Sequence, residues 1–182
     1  LSISIPQLML DYLNKLNKNI PEEKRLRNKD MQTDAKAIAW ECLKGDYRPT
    51  TAKKKDVLDA LIKLDKQEPT PDKQQPTPES RLKYLEDSLG LIRTVEPAED
   101  EIRFDLNLLA EYLAALHLLE NHEKNKTEWE KIEQKISTIS GSFLTAIQSC
   151  CRHLIQKKIK QDELVIKEWQ KINNEIDKEI QK

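Results

Sequence analysis

Apolar residues recur three and four positions apart along most of this chain, the spacing that places them on one side of an α-helix. Pro6 opens a short helix, in the first turn where proline is tolerated, with Leu8, Met9, Tyr12, Leu13 and Leu16 on its apolar side. The polar stretch 17–30, which contains Pro21, ends it. Thr33 or Asp34 is placed to cap a second helix running to about Lys44, with Ala35, Ile38, Ala39, Cys42 and Leu43 apolar. Gly45 is a suitable stop. Thr50 or Thr51 leads into a third helix carrying Val57, Leu58, Leu61, Ile62 and Leu64. Ser80 begins a fourth, with Leu82, Leu85 and Leu89 inward and Gly90 closing it.

The period then changes. Leu91, Ile92, Thr94 and Val95 form one short β-type run and residues 101–104 another, on either side of a turn holding Pro97, which predicts a β-hairpin. Three helices followed by a two-stranded wing are the order of a winged-helix module. Asp105 or Asn107 is placed to cap a helix reaching about Glu120. Leu106, Leu109, Ala110, Leu113 and Leu116 mark one of its faces, and Leu108, Tyr112, Ala115 and Leu119 another. A helix apolar on two faces lies between layers, so it couples the winged module to the C-terminal segments. Three more helices complete the pattern: one capped by Thr127, one after Ser140 and Gly141, and a long one from Gln161. Their apolar positions, among them Trp129, Ile132, Phe143, Ile147, Leu154, Trp169, Ile172 and Ile176, suit a small bundle. The expected fold is mainly α: a winged-helix-like module with a small β-hairpin wing, followed by an α-helical bundle. Residues 1–28 read as the end of a preceding helical domain, 29–105 as the winged-helix-like domain, and 106–182 as the C-terminal bundle.

Composition narrows this. Pro69, Pro71, Pro76 and Pro78 fall among polar residues, so 66–78 is expected to be an exposed Pro-rich loop; a polyproline ligand is the sharper alternative. Three glycines among 182 residues leave little room for a phosphate loop, and neither GxxxxGK[ST] nor GxGxxG occurs. Lys and Arg number 31 against 32 Asp and Glu, and both halves of the chain are balanced, so a nucleic-acid partner is not expected. No apolar run is long enough for a membrane span. Cys42, Cys150 and Cys151 fit no disulfide framework and suggest reduced thiols in a cytoplasmic protein. The chain starts at Leu1, in the middle of an apolar pattern, and reads as a piece of a longer protein.

Candidate chemistry is sparse. His117 and His122 are five positions apart, on different faces of a helix, and His153 beside the Cys150–Cys151 pair lacks a second ligand pair at zinc spacing. Glu111, inside an apolar helix, needs a partner, and Arg93 or Arg103 of the wing could form an ion pair with it. Neither GxSxG nor HExxH is present, so no catalytic site is expected in this chain. Lys53, Lys54 and Lys55 read as a solvated face. A DNA-reading fourth helix would present Arg81 and Lys83, but also Glu86 and Asp87, which repel phosphate. A winged-helix DNA-binding regulator and a helical protein-interaction adaptor using the terminal helix remain the rival readings.

The most specific stretch is 102–116, I-R-F-D-L-N-L-L-A-E-Y-L-A-A-L. It resembles the F-x-H-x-x-F-x-E-[YF]-[FL]-A-A segment of NACHT-type STAND signal-transduction ATPases. Residues 81–93, R-L-K-Y-L-E-D-S-L-G-L-I-R, look like the last helix and first wing strand of that family's winged-helix domain. Residues 37–43, A-I-A-W-E-C-L, look like its opening helix, and 5–13, I-P-Q-L-M-L-D-Y-L, like the end of the helical domain before it. The resemblance is to bacterial members, those of cyanobacteria in particular, and covers residues 1 to about 120. It implies that an upstream NACHT ATPase domain of the same chain binds ATP and Mg²⁺. The winged-helix and helical region would fold over that nucleotide as an off state, and its release would permit self-association. On this resemblance the present chain is the regulatory, non-catalytic part, with no cofactor of its own. Phe104, Glu111, Tyr112, Leu113, Ala114 and Ala115 match the family segment. The family often places a phosphate-contacting His two positions beyond the matching Phe; here that position is Leu106, which donates no hydrogen bond.

Overall fold

The computed structural model describes residues 3–67, 76–98, 100–157 and 163–182. Helix α1 (Ile5–Lys18) starts where the Ser4 hydroxyl accepts the Gln7 amide at 3.2 Å, with Pro6 in the first turn. Its buried face is Pro6, Leu10, Leu13 and Asn17, whereas Leu8 and Tyr12, expected inside, are 51% and 42% exposed. A 3₁₀ turn (Glu22–Lys24) leads to α2 (Asn28–Leu43). α2 begins before Thr33 and Asp34, so neither caps it: Thr33 bonds the Lys29 carbonyl and Asp34 is buried. Gly45, at φ 97°, ends the helix as expected, because only glycine adopts that conformation without strain.

Strand β1 (Ala52–Lys53) precedes α3 (Lys54–Gln67). Lys66 and Gln67 are therefore still helical, and Pro69 and Pro71 of the expected loop lie outside the described residues. Helix α4 (Pro78–Lys83) starts two residues earlier than Ser80, capped by the Thr77 hydroxyl, and continues as a π-helical turn (Tyr84–Ser88). The expected hairpin is present as β2 (Ile92–Val95) and β3 (Glu101–Phe104). β3 is central in an antiparallel sheet ordered β1-β3-β2, with Ala52 opposite Ile102 and Ile92 opposite Phe104. Helix, strand, two helices and a wing, closed by β1 on β3, is the winged-helix order. Alternation sends Ile92, Ile102 and Phe104 into the core and leaves Arg93 in solvent.

Then come α5 (Asn107–Glu120), a 3₁₀ turn (His122–Asn125), α6 (Lys126–Gln134), a second 3₁₀ turn (Ile136–Thr138), α7 (Gly141–Lys157) and α8 (Glu163–Ile180). Leu106, not a polar residue, occupies the cap of α5, and Thr127 lies inside α6; Ser140 does cap α7, accepting the Phe143 amide at 3.3 Å. Gln161 lies outside the described residues.

One contiguous set of buried side chains runs from Leu10 to Ile176, so the segments share a core. α5 passes through its centre, buried on two faces as its pattern requires from Leu109 onward; of the apolar positions expected along it, Leu106 at its cap and Leu108 are exposed. A buried helix end must satisfy its last carbonyls. Here the Asn121 amide bonds the His117 carbonyl, the Trp129 indole bonds that of Leu118 at 3.2 Å, and the Trp169 indole that of Leu119 at 3.0 Å. Two tryptophans thus fasten α6 and α8 to α5. Tyr47 joins the winged module to the bundle. It stacks between Trp40 and Phe143 at 6.2 and 6.3 Å, donates to Glu128 at 2.7 Å, and holds φ 56°, a strained value for a non-glycine residue that such contacts stabilise.

Candidate functional site

The residues singled out in the sequence separate into core and surface. Phe104 and Tyr112 are buried, at 2% and 3% exposure. Glu111 is buried too, but its partner is the Ser142 hydroxyl at 2.8 Å, not an arginine. Burial raises the Glu111 pKa above the usual carboxylate range, and that single hydrogen bond opposes the rise. The expected Glu111 ion pair to the wing is therefore absent: Arg93 reaches Asp105 instead, at 3.4 Å in a solvated setting, and Arg103 stands opposite Arg93 across the ladder. The Arg103 Nε atom is buried and has no hydrogen-bond partner among the described residues. Leu106 and Leu108 emerge where the wing meets α5, each 52% exposed, next to Arg93 and Asp105.

The helix that would read DNA is otherwise engaged. The Arg81 side chain, 5% exposed, bonds Asp34 through Nε at 2.9 Å, Asp65 at 2.9 Å and the Pro76 carbonyl at 2.8 Å. It locks α4 to α2 and α3 and offers no donor to a base. Glu86 accepts the Thr94 amide at 2.9 Å, which ties the π-helical turn to the wing. Burial pushes the Asp34 carboxyl up to about 6 against the pull of Arg81, while the two carboxylates hold Arg81 charged. The pair is thus ionised at neutral pH, with burial opposing the charge of both partners.

A cleft of about 710 Å³ opens between α2, α3 and the end of α5, lined among others by Trp40, Glu41, Asp59, Lys63 and His117. Burial, and then Lys36, Lys63, Lys44 and Lys124, lower the His117 pKa to about 4, so the ring is neutral at physiological pH. A smaller hollow of about 210 Å³ adjoins it around Lys29, Lys36 and Lys124. No motif in the sequence announced this gathering, because its lysines come from α2 and its end, β1, α3 and the turn after α5.

Groups able to do covalent chemistry are held quiet. Cys42 and Cys151 are pushed up to about 12 and Cys150 well above the ordinary thiol value, burial being the main cause in each, so thiolate is scarce. Ser4 and His153 Nδ1 lie 2.8 Å apart, a pair that their separation in sequence concealed. The Ser4 oxygen already caps α1, and among the described residues no carboxylate orients the His153 ring, as a hydrolytic triad requires. No set of three metal-ligating side chains comes together among the described residues, and no described helix is long and apolar enough to cross a membrane. Comparison with protein-family models, with curated proteins and with solved structures finds no match.

Proposed function

We propose that this chain is the regulatory, non-catalytic segment of a NACHT-type signal-transduction ATPase in the cytoplasm, packing on an ATPase module of the same polypeptide as a nucleotide-gated switch. The observation that carries the reading is the exposed pair Leu106 and Leu108 at the junction of wing and α5. The sequence resemblance aligns Leu106 with the family position that faces the nucleotide-bearing module. Two large apolar side chains in water at that point suit a surface that another domain covers. ATP and Mg²⁺ belong to the upstream module. Leu106 supplies packing to it and no phosphate contact, so the switch acts through domain docking, a two-state element biased by nucleotide. The rigid link from wing to bundle through α5 and Tyr47 supports this, since docking at the wing would then move the bundle as well.

Leu106→Asp in the full-length protein tests the reading. A buried aspartate at the interface should loosen docking and raise nucleotide exchange and self-association. Unchanged exchange, with the fold intact by circular dichroism, would count against it. The rival DNA-binding reading is disfavoured by the engagement of Arg81, and a salt-sensitive shift of duplex DNA at low ionic strength would revive it.

A further inference from the structure

The two hollows beside His117 share Leu64, Gln67, His117, Asn121 and Lys124, so they lie side by side, as a wide end and a narrow end of the cleft. Its narrow end is lined by Lys29 and Lys36 from α2 and Lys124 from the turn after α5, against a single carboxylate, Glu120. Lys36 already holds Glu120 at 2.8 Å, and Lys124 spends one donor on the neutral Gln67 side chain at 3.0 Å. Lys29 has no ion-pair partner among the described residues. Positive charge therefore exceeds negative at this end, and Lys63 of α3 adds to it from the wide end. The acidic groups, Glu41, Asp56, Asp59 and Glu101, line the wide end together with Lys44 and Lys53. His117 lines both hollows, and its ring makes no hydrogen bond to a described residue.

We propose that the narrow end of this cleft binds a small phosphate-class dianion, either a free phosphate or the phosphate of an organic monoester, held by Lys29, Lys36 and Lys124 with His117 donating a hydrogen bond. Such an ion needs several cationic donors around one recess, and three lysines line this one. Neutral imidazole adds one N–H, and protonated imidazole two. The lysines that now suppress protonation of His117 would be offset by the dianion, so binding and protonation favour each other, by reciprocal linkage. The wide end, with Trp40, Ala60 and Leu64 in its lining, leaves room for the organic part of an ester. The site does not depend on the NACHT reading.

The test follows the three histidines of the whole chain by NMR, with inorganic phosphate as probe and sodium chloride at matched ionic strength as control. The His117 resonances should shift saturably at about millimolar phosphate or below, and its pKa should climb from about 4 toward the ordinary imidazole value. His122 and His153 should stay where they are. Lys29→Met with Lys124→Met, both exposed positions, should weaken binding at least tenfold with an unchanged melting curve. Phenyl phosphate binding more tightly than phosphate identifies an ester as the ligand class, and equal or weaker binding identifies the free ion. A linear, unsaturable shift, an equal effect of chloride, or full affinity in the double variant would overturn the site.

Discussion

Replacing Arg81 with methionine isolates the most heavily buried charge in the winged module. The native guanidinium satisfies Asp34 at 2.9 Å and Asp65 at 2.9 Å; Asp34 is 6% exposed at its side chain and Asp65 29%. After Arg81→Met, Asp65 can still reach water, but Asp34 is left as an unpaired carboxylate inside the protein. Breaking a buried pair by removing one partner costs about 3–5 kcal/mol. The loss should also depend on pH. Burial already sets Asp34 at about 6, above its ordinary 3.8, so its titration favours the folded state below 3.8 and that benefit is lost as pH rises through about 6. Removing Arg81 takes away what lowers this pKa, so the variant carries Asp34 higher still. The two proteins therefore diverge above about pH 6, in the window between the native and variant values of Asp34. Urea unfolding followed by circular dichroism, at about pH 5.5 and about pH 8, reads both quantities. The deficit should be largest at the higher pH and shrink at the lower one, where Asp34 takes a proton and only lost packing remains. A deficit under about 1 kcal/mol at the higher pH, or one of equal size at both, would refute the view that Arg81 neutralises a buried carboxylate.

Three further outcomes are expected. Tyr47→Phe removes the hydrogen bond to Glu128 while keeping the ring stack, and should cost about 1–2 kcal/mol in urea unfolding; no measurable loss would mean that Tyr47 contributes to the joint through stacking alone. Glu111→Gln keeps a polar partner for Ser142 without a buried charge, so stability at neutral pH should be unchanged or higher, and a loss above about 1 kcal/mol would point to a charge partner for Glu111. The three thiols should resist a disulfide reagent in the native protein and react together on unfolding, given their burial and raised pKa values; rapid native labelling of any of them would contradict that placement.

The elements with strong periodicity were legible in the sequence. Leu82, Leu85 and Leu89, the hairpin of Ile92 and Phe104, and the two-faced α5 from Leu109 onward all lie as their spacing requires, whereas Leu106 and Leu108, counted in the same pattern, are exposed. β1 was not legible, because two residues carry no alternation and Ala52 finds its partner Ile102 only through the fold. The face of α1 was misread for a related reason. Leu8 and Tyr12 make an apolar stripe, yet the buried side includes the polar Asn17, whose amide bonds the Leu26 carbonyl at 2.8 Å and Asn28 at 2.9 Å. Asp34 resembled a cap, since short acidic residues favour helix starts, and the distant Arg81 that changes its role leaves no local trace. Glu111 was rightly expected to need a partner, but it faces Ser142 of α7 and not the wing, because the strand alternation turns Arg93 outward. The lysines of the cleft likewise meet only when α2, α3 and the turn after α5 pack.

Whether this chain is the switch segment of a NACHT-type ATPase is tested most directly by reading the gene across the codons that precede Leu1. A switch of that kind requires an in-frame GxxxxGK[ST] loop upstream in the same polypeptide, since the nucleotide chemistry must be supplied there. An open reading frame that encodes residues 1–182 with no such loop ahead of them would contradict it.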